Sequence, residues 1–303
     1  MTLRIDPAPP PSDVMAANLI CMASMLIWAL AFPAADHLLK IFSPLPLSAL
    51  RMILAALFLL PLWAARDGWA AVAGANWGKG LWLGGIGFGL GAFLLVWAQS
   101  RTDAVTTAVI AATMPVVGIT LERLTDRRPV RPRLILGLIL SLAGGILAYL
   151  ARLGGVSIGL GALAAFASVL AFSWGSQRTV LDFPGLSSIG RTTVTFAGAA
   201  LVMALAWVIG GALGAAKVNW AAIGPAEIAA LAVYGIGSLA ISQILWIVSV
   251  ERLGIGIASM HINAAPFYVM IFATLLGAPW NWAQAAGAGI VVLGVLIAQG
   301  RRA

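Results

Sequence analysis

Ten stretches of about twenty mostly apolar residues follow one another along the chain. They lie near residues 17–39, 45–65, 79–99, 104–123, 132–151, 157–179, 190–212, 228–250, 254–277 and 282–300. A helix rises about 1.5 Å per residue, so about 20 apolar residues cross a hydrocarbon layer of roughly 30 Å. The breaks between them are short. They hold what hydrocarbon rejects: Ser43-Pro44, Arg66-Asp67-Gly68, Arg101, the run Arg123–Arg133, Gly154-Gly155, Asp182-Phe183-Pro184, Lys217, Arg252 and Pro279. Charged residues make up only 9% of the chain, against about 25% in soluble domains. That excludes a soluble globular protein. In lipid every backbone polar group must be bonded inside the protein, and spans of this length do so as helices. The reading is an all-α membrane protein of ten transmembrane helices, with no room for a separate soluble domain.

The spans repeat. Pro44 and Arg51 match Pro184 and Arg191 at an offset of 140. Gly84 matches Gly235 at 151, and Arg101 with Pro115 matches Arg252 with Pro266 at the same offset. Gly137 and Gly144 match Gly287 and Gly294 at 150; Trp28 and Trp174 align more weakly. The expected units are a disordered cytoplasmic tail over 1–16, a first five-helix repeat over 17–153 and a second over 154–303. Five is odd, so two tandem copies enter the membrane in opposite directions. Two inverted five-helix repeats around a central cavity are the build of a secondary transporter, with its site at the repeat interface near the midplane.

Charge sets the expected orientation. The net charge of +8 would point a soluble chain toward nucleic acid; here no nucleic-acid partner is expected. With the N-terminus in the cytoplasm, 13 Lys and Arg fall inside and 5 outside, the latter being Lys40, Arg51, Arg101, Arg152 and Lys217. The positive-inside rule then places both termini in the cytoplasm. The single Cys21 lies in an apolar run and reads as a small buried hydrophobe. All 10 acidic residues fall in the tail, at helix ends or in loops. An intramembrane carboxylate is the usual mark of a proton or cation relay, so facilitated movement down a gradient is expected.

Polar and aromatic residues inside the spans are the candidates for solute binding. The run from Arg252 to Leu276 carries His261, Asn263 and Pro266 at membrane depth. His261 changes charge near neutral pH, and Asn263 lies about 200° around the helix from it, so one of them faces a cavity while the other packs. Ser238 and Gln243, with Trp246 nearby, form a second polar cluster. Trp28, Phe88, Trp174 and Phe267 lie near the middle of their spans, and an aromatic-lined cavity suits a ring-bearing solute. Pro115 and Pro266 each remove a backbone hydrogen bond and are expected to kink or hinge their helices. Gly84-Gly85-Ile86-Gly87 lies in a span with no strand before it, which excludes a nucleotide loop.

These residues carry a resemblance. Trp28-Ala29-Leu30-Ala31-Phe32, Arg51 with Arg191, Pro115 with Pro266, and Glu122-Arg123-Leu124-Thr125 closing the fourth span are similar to the drug/metabolite transporter superfamily. The chain resembles its EamA-type ten-helix members, and among them the YddG-type bacterial aromatic amino-acid exporters. Two departures stand out. Met114 and Ala265 precede the two prolines where many EamA repeats carry Glu, and the second half ends its fourth span on Leu276-Gly277-Ala278-Pro279. The resemblance implies a multi-pass protein of the bacterial inner (cytoplasmic) membrane. It would export small amino acid-like solutes, most of all aromatic or hydrophobic amino acids, by alternating access. It implies no enzymatic activity, no cofactor or metal, and no partner beyond the lipid bilayer and the solute; a monomer is the expected state. A broad-range metabolite or drug exporter and an uptake carrier stand as alternatives. An intramembrane serine protease built on Ser238 and His261 is the remote one.

Overall fold

The computed structural model describes residues 11–101, 110–111, 113–125, 131–150, 159–275, 280 and 282–299. Its regular elements are helical, joined outside them by one isolated bridge between Phe42 and Val218. Among the described residues, six helical stretches are long and apolar enough to cross a membrane: Asp13–Leu38, Pro44–Asp67, Trp77–Arg101, Leu160–Asp182, Ser188–Ala212 and Pro225–Leu253. Each overlies one of the expected windows to within a few residues. The protein is therefore a multi-pass, all-helical membrane protein.

Local chemistry explains how the first spans are cut. Helix α1 (Pro11–Ala29) and helix α2 (Ala31–Leu38) form one rod broken at Leu30. Pro33, one turn on, has no N–H to give the Ala29 carbonyl, and its ring crowds that carbonyl. α1 begins at Pro11, so residues 11–16 of the expected disordered tail are helical. Helix α3 (Pro44–Asp67) starts on prolines at its first turn, where the missing N–H costs nothing. The short helix α4 (Trp69–Ala73) follows Gly68, whose φ of 85° belongs to the left-handed region. Helix α5 (Trp77–Leu83) runs through a π-helical stretch, Gly84–Leu90, into helix α6 (Gly91–Arg101).

The remaining helices follow the same logic. They are α7 (Met114–Thr125), α8 (Pro132–Leu150), α9 (Leu160–Asp182) and α10 (Ser188–Ala212). Helix α11 (Pro225–Ala232) passes through a second π-helical stretch, Val233–Ile241, into α12 (Ser242–Leu253). Gly254, at φ 81°, turns the chain from α12 into α13 (Ile255–Met260). A 3-10 turn, His261–Ala264, then leads to α14 (Ala265–Leu275), and α15 is Trp282–Gln299. Residues 102–109, 126–130 and 151–158, where several loop arginines and Asp103 fall, lie outside the described residues.

Glycine sets the packing. Gly84 and Gly235, matched in sequence, each fall in one of the two π-helical stretches. At Gly84 a Cβ would run into the Thr195 carbonyl of α10. At Gly235 it would stand 2.8 Å from Leu54 Cβ on α3. Gly87 and Gly175 meet backbone to backbone, so α9 packs on the first π-helical stretch. Gly137 of α8 lies against the Gly294 carbonyl of α15. In lipid, where apolar burial drives little, such close approach supplies the packing.

Polar contacts tie the helix ends. Ser187 caps α10 by accepting from the Gly190 N–H, and its hydroxyl donates to Asp67 at the end of α3. At the far end of α3, the Ser43 N–H donates to the Lys217 carbonyl and the Asn219 N–H to that of Ile41. The Glu122 carboxylate accepts from the Gly256 N–H at the start of α13, the favourable place for an anion.

A replacement Gly84→Ala forces rigid backbone apart. It is expected to cost about 1–3 kcal/mol, read as a fall in the thermal unfolding midpoint of the detergent-solubilised protein. Gly211→Ala, in α10 and with open space around it, should leave the midpoint unchanged or raise it slightly.

Candidate functional site

The helices line a narrow central cavity of about 70 Å³. Its walls come from α1, α3, both π-helical stretches, α6, α7, α9, α10 and α12 and the 3-10 turn. Five aromatic side chains, Trp28, Phe88, Phe172, Phe196 and Trp246, stand in an otherwise mainly aliphatic wall. The Phe88 ring meets Phe172 edge-on at 5.5 Å and Phe196 at 5.1 Å between centroids; Phe172 lies 6.0 Å from Trp246. The indole N–H of Trp246 donates to Ser176 Oγ at 3.0 Å, which fixes the ring. Trp28 closes the α1 side and meets Phe32 at 5.0 Å.

Few polar groups face this wall, and most hydroxyls are already engaged. Ser24 donates to the Ser242 carbonyl, Ser242 to the Ser238 carbonyl, and Ser168 to the Gly91 carbonyl, all within 2.7 Å. Gln243 lines the cavity and is 3% exposed, yet its Nε2 has no hydrogen-bond partner among the described residues. Ser173 Oγ and both amide atoms of Gln177, on α9, are buried in the same condition. Buried polar groups are nearly always bonded to protein or water; of these residues Gln243 is the one that lines the cavity.

The strongest group is Arg51. It is 3% exposed and lines the central cavity. It also lines a smaller pocket that continues toward Gln99 and Tyr234. One guanidinium nitrogen donates to the Tyr234 hydroxyl at 2.8 Å, and the guanidinium carbon sits 4.3 Å from that ring's centroid. Nε has no partner among the described residues. Among the described residues no carboxylate lies within ion-pair distance of it. Its sequence partner Arg191 is different. That side chain donates to the Phe183 and Pro184 carbonyls and pairs with Glu251 at 2.7 Å. It ties the α9–α10 loop to the end of α12.

The expected site residues divide. Trp28, Phe88 and Gln243 come together on the cavity wall. The other five stand elsewhere. Trp174 packs in an apolar cluster around Trp63, Phe183 and Ile189. Ser238 spends its hydroxyl on the Tyr234 carbonyl at 2.9 Å. His261 is 5% exposed, with Nδ1 at 3.3 Å from the Ala258 carbonyl of its own turn; the neighbouring Ile262 faces the cavity instead. Asn263 is buried in the same 3-10 turn. Phe267 packs edge-on against Trp280. Ser238 and His261 are thus each taken up by their own helix backbone, which builds no nucleophile–base pair. Pro115 and Pro266 are both the second residue of a helix, α7 and α14, where proline is tolerated. The break in the later span is the 3-10 turn just before Pro266.

Arg51, Phe172 and Phe196 were missed by sequence reasoning. Arg51 carried a signal: it stands seven residues beyond Pro44, roughly 10 Å along the helix, too deep for a loop charge. Arg191 is buried as well. Removing both from the loop count takes one charge from each side and keeps the asymmetry. The two phenylalanines carried no signal that separates them from packing residues.

A model of the EamA-like transporter family matches residues 15–150 and 159–299. No curated protein matches the chain. Among solved structures, 28 chains match. One, titled only as a crystal structure of a protein, is 20% identical, with a TM-score of 0.77 over 93% of this chain and 95% of its own. At that identity the likeness shows the fold.

The cavity geometry predicts thiol accessibility. In a Cys21→Ala background, Gln243→Cys should react with a small water-soluble maleimide. Ser259→Cys, fully buried where Gly118 of α7 meets α13, should stay unreactive in the folded protein, with labelling followed by intact-protein mass.

Proposed function

The chain belongs to the EamA-like transporter family, and on that premise we propose that it is a facilitative secondary carrier of small organic solutes with an aromatic or bulky apolar body. The observation that carries this reading is the cavity itself. It is central, carries five aromatic side chains in its wall and is supplied with a few convergent polar groups, the usual form of a site for a ring-bearing small molecule. Aromatic or hydrophobic amino acids are the expected cargo, moved outward across the bacterial inner membrane. A broad-range exporter or an uptake carrier has the same cavity, since a passive carrier follows its gradient.

Alternating access fits the arrangement of contacts. The family match falls in two stretches that coincide with the two sequence halves. The π-helical stretch of the first half lies on α10 of the second, and that of the second lies on α3 of the first. This reciprocal packing supports ten spans in two inverted five-helix repeats. Each end of the cavity is held by its own set of bonds. One set is the Phe42–Val218 bridge with His37 paired to Glu227 at 3.1 Å. The other is Arg191 with Glu251 and Ser187 with Asp67. Rocking the halves about the glycine contacts would loosen one set while the other stays closed. With both termini in the cytoplasm, the Arg191 set faces inward. The His37–Glu227 pair, half open to solvent, contributes little to stability, little enough to break and re-form within a cycle.

The test is flux in proteoliposomes holding the purified chain. Labelled phenylalanine or tryptophan should exchange saturably. Trp246→Ala and Phe172→Ala should each lower uptake at limiting solute by about 10-fold, the loss of roughly 1.4 kcal/mol of binding. Trp220→Ala, exposed and stacked on Trp207 away from the cavity, should transport at the wild-type rate. Equal loss in all three at equal reconstitution, or no saturable flux of any ring-bearing solute, overturns the reading.

A further inference from the structure

We propose that Arg51 selects the charge of the cargo: it binds a carboxylate of the transported solute, so the carrier prefers organic anions over zwitterions and cations bearing the same ring. This rests on the cavity being the solute site. A guanidinium has five N–H donors in a planar fork. In Arg51 one nitrogen is bonded, to the neutral hydroxyl of Tyr234. Nε has no partner among the described residues, although Arg51 is 3% exposed. Taking a cation out of water without a counter-ion is costly, and a planar fork is the group that matches a carboxylate with two parallel hydrogen bonds.

The comparison with Arg191 isolates the point. Both arginines occupy the same place in the sequence repeat and both are buried. Arg191 has two backbone carbonyls and a carboxylate. Arg51 has a phenol and a cavity. Tyr234 prepares the site: its ring lies under the guanidinium and its hydroxyl takes one donor, which holds the plane and leaves the other donors to the solute. Cation–π contact keeps the charge while satisfying it only in part.

The rest of the lining sets the sign. Among the described residues the cavity's lining includes Arg51 and neither Asp nor Glu; Asp36 stands outside it, bonded to Gln99 of the adjoining pocket at 2.6 Å. Ser24, Ser168 and Ser242 already donate to backbone carbonyls. A carboxylate therefore meets a cation and the free donor of Gln243, whereas an ammonium group meets no opposite charge among the described lining residues and stands in one cavity with Arg51. An amino acid gains from its carboxylate and loses on its amine. The same molecule without the amine only gains.

Four probes with one phenyl body decide this in proteoliposomes of the full chain: 3-phenylpropionate, phenylalanine, 3-phenylpropionamide and phenethylamine. Each is measured as a competitor of labelled phenylpropionate and by its own flux. Expected for wild type is the order carboxylate, zwitterion, neutral amide, amine. Arg51→Gln should lower the ratio of carboxylate to amide transport by about 10-fold or more, the size of a charge-assisted hydrogen bond. Arg51→Lys should restore much of that ratio. An unchanged ratio in Arg51→Gln overturns the proposal and leaves Arg51 as Tyr234's packing partner. If Arg51→Gln does not fold, the wild-type order decides: amine or amide above carboxylate overturns it. Flux of ring-bearing solutes with no role for Arg51 refutes this inference alone, and absence of any flux refutes the carrier reading beneath it.

Discussion

Close backbone approach at Gly84 and Gly235 is the constraint on which the remaining architecture depends. Hydrocarbon gives apolar helices little reason to choose one another, so contact distance decides which pairs form. At these two glycines a helix wall comes so near that no side chain fits. Both lie in π-helical stretches, the wider turn that often marks functional places in helices. With those crossings set, α3 and α10 brace the bundle, and α1, α9 and α12 complete the ring of side chains around the cavity. The Gly235 crossing has a chemical result too. It brings the preceding residue, Tyr234, against Arg51, whose carbonyl stands 3.3 Å from where a Gly235 Cβ would be.

The two matched stretches use one scaffold for different chemistry. Arg191 closes a loop and pairs with Glu251; its counterpart Arg51 lines the central cavity. Glu122 at the end of α7 caps α13, while the matching position at the offset of 151 is Ala273. Pro115 and Pro266 begin helices in both stretches, but only the second has His261 and Asn263 just before it. Those two residues complete a tight 3-10 turn inside the wall, and the side chain presented to the cavity from that turn is Ile262. A polar residue at membrane depth was therefore as much a matter of backbone and packing as of recognition.

Much of the architecture was legible along the chain. The windows at 45–65, 79–99 and 190–212 lie within two residues of helical stretches that start at Pro44, Trp77 and Ser188. Hydropathy over twenty residues is a one-dimensional signal, and breaks such as Arg66-Asp67-Gly68 stand out against it. The repeat was legible because glycines and arginines in fixed places survive as spacing. Of the candidate site the sequence carried the kind, a cavity with aromatic and a few polar groups, and three of the residues that line the cavity, Trp28, Phe88 and Gln243. Trp174 and Phe172 differ by two places on one helix, about 200° of rotation. One packs beside Trp63 and the other faces the cavity.

That last difference has a physical reason. A soluble helix announces its inward face by a stripe of apolar residues against a polar side. A membrane helix is apolar on every side, so polarity cannot tell lipid, packed neighbour and cavity apart. Length, hydropathy and repeat spacing settled that this chain is a bundle of membrane helices built on a repeated pattern. Rotation of each helix about its axis, and with it the placing of Arg51, Phe172 and Phe196 on the cavity and of His261 within the wall, was decided by how glycine contacts let the helices approach in three dimensions.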